Sequence, residues 1–242
     1  MKNWLSVFVL SVMITSLACA AFDDDFESYA VGTFPSSQWI PTANAISEPS
    51  LNGIRVDPTD SSNQMLQMKS QSNWAPLAYH QFDFDSSFEI TARFYQEANC
   101  SPIIDMAPTT SWTNPSLRLF EMNSTSVKTL GQTSEVSGVL NQWNDLKIVY
   151  EREELNATMK FWLNGSLAGD FDSISFAGES SAYDVKYNYL SLIVNNNGVR
   201  YGYFDDIHIS NEISSVTPTV PVPSAILLAG IGVGLVRLFK KK

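Results

Sequence analysis

The side chains able to do chemistry in this chain of 242 residues are chiefly carboxylates, 25 Asp and Glu against 15 Lys and Arg. Cleaving a glycosidic bond takes two of them held across a sugar, one as acid and one as nucleophile or base. Asp83-Phe84-Asp85, followed by Glu89, comes nearest to such a pair. It falls where a turn between strands is expected, and a solvated turn is the preferred reading. His80 and His208 have no Ser or Cys motif beside them, and no His-x-x-x-His spacing for a metal occurs. His208 alternates with Ile207 and Ile209, which makes it a face residue of the final strand.

Binding a glycan asks for less: an exposed ring to stack on, with amides and carboxylates for the hydroxyls. Trp162 shares a face with Lys160, opposite Met159, Phe161 and Leu163, and is one such ring. Trp74 and Trp112 stand in loop-like surroundings and are equal candidates, and Asn195, Asn196 and Asn197 form an amide-rich turn before Gly198. Trp39 and Trp143 are expected to be buried between sheets.

The elements that position these residues are strands. Phe88, Ile90, Ala92 and Phe94 alternate with Glu89, Thr91 and Arg93; Leu146, Ile148 and Tyr150 do the same. This period of two predicts half-buried strands, while a period of 3.6 is nearly absent. Asn164-Gly165 after Leu163 predicts a tight hairpin. Further strands are expected at 54–56, 65–68, 77–84, 190–194 and 201–209. Residues 98–115, with Pro102 and Pro108 and no period, read as one long loop.

The two ends carry different instructions. Lys2, an apolar run from Trp4 to Leu17 and Ala18-Cys19-Ala20 predict a secretory signal peptide over 1–20. A lipoprotein reading of Cys19 meets Ser16 where an aliphatic residue is wanted. After Ile213 a proline-rich spacer covers 214–223. A hydrophobic helix with a basic tail is expected over 224–242, ending in Lys240–Lys242, with the C-terminus cytoplasmic. A GPI signal is disfavoured by those lysines. The exported part, 21–213, keeps ten basic residues against 25 acidic ones. Such a charge excludes nucleic acid and anionic lipid as partners. Of the chain's cysteines only Cys100 remains there, expected to be buried and unreactive.

Val220, Pro221, Val222, Pro223 and Ser224, the apolar Ala225–Val236 run and the basic end together resemble a PEP-CTERM sorting signal. Val222 stands where the motif has glutamate. The resemblance implies export by signal peptidase across the inner membrane of a Gram-negative bacterium and a transient membrane anchor. It also implies processing by an exosortase, with the product at the cell surface or in the extracellular matrix.

Residues 22–212 resemble concanavalin-like, laminin-G-type jelly rolls. Asp24-Asp25-Phe26-Glu27-Ser28-Tyr29, Trp143–Tyr150 with Phe161–Gly165, and Tyr203–Ile209 carry the likeness. It implies an all-β, antiparallel two-sheet jelly-roll sandwich. Glycosidases of this type carry Glu-x-Asp-x-x-Glu on one strand, and that motif is absent. In this class the first and last strands lie side by side, so Asp25 and Glu27 would meet Asp205 and Asp206. A structural Ca²⁺ there is one reading; a strand edge guarded by charge is the other. The function expected is non-catalytic binding of a glycan such as an exopolysaccharide. A structural or adhesion module without sugar affinity, and a polysaccharide-cleaving enzyme, stay open as alternatives.

Overall fold

The computed structural model describes residues 21–42, 51–70, 75–97, 100–111, 116–129, 132–134, 136–153, 156–175, 187–195 and 200–214. The expected signal peptide, the spacer beyond Ser214, the sorting motif Val220–Ser224 and the hydrophobic helix lie outside them, as do Trp74, Trp112, Asn196 and Asn197. The described residues form strands and turns only. In chain order the strands are β1 Ala21–Asp24, β2 Ile40–Pro41, β3 Gly53–Val56, β4 Gln64–Lys69, β5 Leu77–Gln81, β6 Ser87–Gln96, β7 Ser101–Ala107 and β8 Leu117–Asn123. Then come β9 Ser126–Thr129, β10 Gln132–Thr133, β11 Trp143–Glu153, β12 Asn156–Leu163, β13 Ser166–Ser175, β14 Tyr189–Asn195 and β15 Tyr201–Ser210.

They build the expected antiparallel two-sheet sandwich. Sheet A has eight strands in the order β13-β12-β11-β6-β15-β4-β3, with β1 also on β15; sheet B has seven, β10-β9-β8-β7-β14-β5-β2. Period-two alternation makes the core. Phe88, Ile90 and Phe94 of β6, and Leu146 and Ile148 of β11, point inward and are at most 2% exposed. Leu190, Leu192 and Val194 of β14 join them from sheet B. Each such side chain contributes about 1.5–3 kcal/mol on leaving water. Asn164 and Gly165 take φ of 51° and 77°, the left-handed pair that a two-residue hairpin between β12 and β13 requires.

Two expectations fail. The stretch 98–115 is not one loop, because β7 runs through it and lies inside sheet B between β8 and β14. All seven of its residues are buried on one face or the other, so no alternation marks it in the sequence. Trp143 is not between the sheets either. On β11 the even positions Leu146, Ile148 and Tyr150 face inward, so Trp143 faces outward with Asp145 and Lys147. It is half-buried there, its Nε1 donating to Asp57 Oδ2 at 2.8 Å under the Arg93 guanidinium.

Trp39 is fully buried, as expected, and the reason is a carboxylate. Asp24, 7% exposed at the end of β1, accepts the Phe26 amide at 2.9 Å, the Tyr29 hydroxyl at 2.8 Å and Trp39 Nε1 at 2.8 Å. Burial, and then Asp24 itself, hold the Tyr29 phenol well above its ordinary range. An alanine here orphans three donors at once. Asp24→Ala is expected to lower the unfolding free energy by about 3 kcal/mol in chemical denaturation.

Candidate functional site

The outer face of sheet B carries polar groups that a solvent-facing sheet would not bury. A row of cross-strand neighbours runs over it. Arg118 of β8 faces Asp105 of β7, Asp105 faces Ser191 of β14, and Ser191 faces Tyr79 of β5. A bulge sets the first of these pairings: Ile104 opposes Phe120 but Asp105 opposes Arg118, so Leu119 is skipped. Bulges re-aim side chains in this way beside functional sites. The row spans three inter-strand steps of ~4.8 Å, about 14 Å.

Asp105, Ser191 and Tyr79 are each no more than 2% exposed, although they face outward. Asp105 Oδ2 accepts the Ser116 hydroxyl at 2.9 Å, and Oδ1 accepts Arg118 Nε at 3.3 Å. Arg118 also donates to Glu121 Oε2 at 2.8 Å. Burial pushes the Asp105 carboxyl above its usual range, against the pull of Arg118. Burial likewise raises the Tyr79 phenol, and the Asp105 charge adds to it. The Ser191 hydroxyl is buried beside the Tyr79 phenol, whose pKa it pulls down, and makes no hydrogen bond of full geometry. A buried, unsatisfied hydroxyl costs free energy unless something outside the chain completes it.

Beside the row lies an apolar one, Leu77, Ile193 and Ile103. Together they line a cleft of about 180 Å³ that also reaches Ala75, Ser116 and Asn195. That is small beside the ~300–1,000 Å³ that encloses a drug-sized ligand, and it suits a single ring. Aliphatic side chains meet the C–H face of a sugar, while a carboxylate and hydroxyls meet its OH groups. Asp105 had one sequence signal, a charge inside the otherwise uncharged run Pro102–Ala107. Tyr79, Ser116, Arg118, Glu121 and Ser191 had none.

The other expected residues are dispersed. Asn195 lines the sheet B cleft, and Ala75 and Ser111, the described neighbours of Trp74 and Trp112, line it too. Trp162 is half-buried on the outer face of sheet A, in a separate cleft. Trp162 and Asn195 therefore cannot touch one ligand ring. First and last strands do pair, Asp24 opposite Ile207. The four carboxylates beside that pairing have protein partners. Asp25 accepts the Glu27 amide and Glu27 accepts the Gln64 amide. Asp205 accepts Asn63 Nδ2 at 2.8 Å, and Asp206 lies 3.2 Å from Arg93. Among the described residues no group of three or more His, Cys, Asp or Glu is placed to hold a metal ion. Cys100 is buried, which pushes its thiol up to about 12.

No family model matches the chain, and no curated protein matches its sequence. Solved structures match its fold. One is "Cellulose induced protein, Cip1", with a TM-score of 0.53 and 18% identity over 79% of this chain and 97% of that one. Another comes from a report that prominent members of the human gut microbiota express endo-acting O-glycanases to initiate mucin breakdown. It has a TM-score of 0.51 and 12% identity over 79% of this chain and 99% of that one. At such identities the likeness is one of fold: a jelly-roll, concanavalin-like sandwich.

The Asp205 side chain is fully buried, and burial pushes its carboxyl up to about 6. The folded state thus prefers the protonated form. The stability this contributes is complete below the ordinary carboxylate range near 3.8 and is lost as pH rises through about 6. Asp205→Asn, which mimics the protonated group, is expected to be about 1–2 kcal/mol more stable than wild type at pH 7. The two should converge at pH 4, as read by denaturation at both values.

Proposed function

We propose that this is an exported jelly-roll protein that binds polysaccharide without cutting it, through the cleft on sheet B. The observation that carries the reading is the buried polar row Arg118, Asp105, Ser191 and Tyr79, its Ser191 hydroxyl short of a hydrogen bond of full geometry, flanked by aliphatic side chains. A neutral, hydroxyl-rich ligand answers both halves of that surface. It supplies donors to Asp105 and a partner to Ser191 and brings no charge that would need desolvation. The fold supports the reading only as a scaffold, because one fold carries many functions.

Retaining the ligand uncut fits the carboxylate geometry. On the outward side of β7 the alternate positions around Asp105 are Ile103 and Ala107, so this strand offers one carboxylate. Asp105 and Glu121 both bond the same Arg118, and Glu121 does not line the cleft, so among the described residues no second carboxylate faces Asp105 there. A shallow site of this size gives weak single-site affinity, on the order of 1 mM or about −4 kcal/mol. Many copies on one polymer raise it through avidity.

On an exopolysaccharide column the full chain should be retained, and Ser191→Val and Asp105→Asn should each elute markedly earlier while Trp162→Ala does not. Earlier elution of Trp162→Ala alone would move the site to sheet A. Release of reducing sugar would establish an enzyme, and no retention of wild type would favour a structural matrix module.

Export and sorting belong to the same proposal. The Pro-x-Pro motif, apolar run and basic end occur together after Ser214. Mature protein isolated from its source is expected to begin near Ala21 and to lack everything after Pro223. Mass spectrometry of both termini reads this directly, and surface protein that keeps Lys240–Lys242 would leave a simple anchor.

A further inference from the structure

The cleft on sheet B suits a single ring, and the polar face goes on past it. Tyr189 of β14 stands opposite Ala107 of β7 on one side and opposite Gln81 of β5 on the other. Ala107 lines the cleft already described. Gln81 lines a second cleft, of about 430 Å³, at the end of β5. Beside this row runs the other one, Asp105, Ser191 and Tyr79, which continues to Ile40 of β2. Tyr79 belongs to the first cleft and Ile40 to the second. From Asp105 to Ile40 there are three inter-strand steps of ~4.8 Å, about 14 Å. One sugar ring cannot touch both ends.

The second cleft repeats the mixed chemistry of the first. Ser36 and Ser37 bring hydroxyls, Gln38 and Gln81 bring amides, and Ile40 brings an apolar side chain that is 43% exposed. His80 lines it as well. Its Nδ1 lies 3.0 Å from the Gln38 carbonyl oxygen, which can only accept, so Nδ1 carries the proton. Burial holds the imidazole below its ordinary range, although the Gln38 carbonyl and the Asp24 charge pull the other way. At neutral pH the ring is therefore uncharged, and Nε2 is an acceptor. Among the described lining residues Asp83 alone is charged. This is again a surface for a hydroxyl-rich, neutral ligand.

Between the two clefts Tyr189 is half-buried. Its ring meets that of buried Tyr79 at 81°, with centroids 6.3 Å apart, and this contact holds it in place. Ala107, its neighbour on the other strand, has no side chain beyond Cβ with which to cover it. A ring fixed in this way, apolar in its body and polar at its tip, can stack on the C–H face of a sugar. We infer that the sheet B site is a track rather than a pocket, on which a polysaccharide lays one unit in the first cleft, the next over Tyr189 and a further one in the second cleft. The inference rests on the glycan reading above and adds the size of the ligand, a run of consecutive units instead of a single terminal one. Affinity accumulates along such a track because each later unit is already tethered by the one before it.

Solution NMR of the full chain reads the two clefts separately, through the δ-methyl of Ile193 in the first and of Ile40 in the second. The probes are fragments of the exopolysaccharide, graded by length after partial acid hydrolysis. Single units should shift Ile193 alone. Longer fragments should shift both methyls and bind several-fold more tightly. Tyr189→Ala and, separately, the exposed Gln81→Ala should weaken the Ile40 response several-fold and remove most of the gain with length, while Ile193 answers single units as in wild type. An Ile40 methyl that never moves, or moves as readily with single units as with longer fragments, would overturn the track and leave the first cleft as the whole site. Variants that match wild type at every length would overturn it too. If no fragment shifts either methyl, the glycan reading itself fails and the track with it.

Discussion

The last strand holds this domain together. β15 lies beside β6 along most of its length, and on its other edge it serves two partners in turn. Tyr201–Phe204 pair with β4, and Ile207–Ser210 pair with β1. Until residues near 205 arrive, strands made more than a hundred positions earlier have no neighbour on that side. Such contacts require large loops to close before they repay anything, which is the physical origin of slow folding in sandwiches. The handover between β4 and β1 falls at Asp205 and Asp206, where the pairing with β6 slips and Asp206 takes φ of 47°. Irregularity there forces one carboxylate under the surface, and Asn63 and Arg93 are arranged to meet it.

With both inner faces committed to the core, function has only the two outer faces to use, and the chain treats them differently. Sheet A presents ion pairs laid over aromatic rings, Arg93 above Trp143 and Lys147 beside Trp162. Their charges are mutually satisfied, Arg93 by Asp145 and Asp206 and Lys147 by Glu89. Sheet B hides its polar groups instead. Asp105 and Tyr79 are both shifted toward their protonated forms by burial, and the Ser191 hydroxyl between them makes no hydrogen bond of full geometry. Polar groups buried in this way are costly while any of them is left unsatisfied.

The acidity of the chain has a related meaning. Carboxylates such as Asp24 are structural, since one Asp24 group satisfies three donors and places Trp39 in the core. Others lie beside the pairing of β1 and β15, each bonded to an amide or a base.

The all-β architecture, the inward faces of β6, β11 and β12, the hairpin at Asn164-Gly165 and the burial of Trp39 and Cys100 were all legible in the sequence. Period-two alternation and left-handed turn residues are local signals and need no partner to be read. Trp143 was legible as well, had the phase of Leu146, Ile148 and Tyr150 been followed back to it. β7 was not, because a strand buried on both faces has no alternation to show. Beyond the lone charge of Asp105 the sheet B row could not be read: Arg118, Asp105, Ser191 and Tyr79 come from four strands, and only register and one bulge align them. Sequence determines what each strand presents to its two sides. Which strands become neighbours, and hence which side chains share a cleft, is decided by long-range pairing that no local pattern encodes.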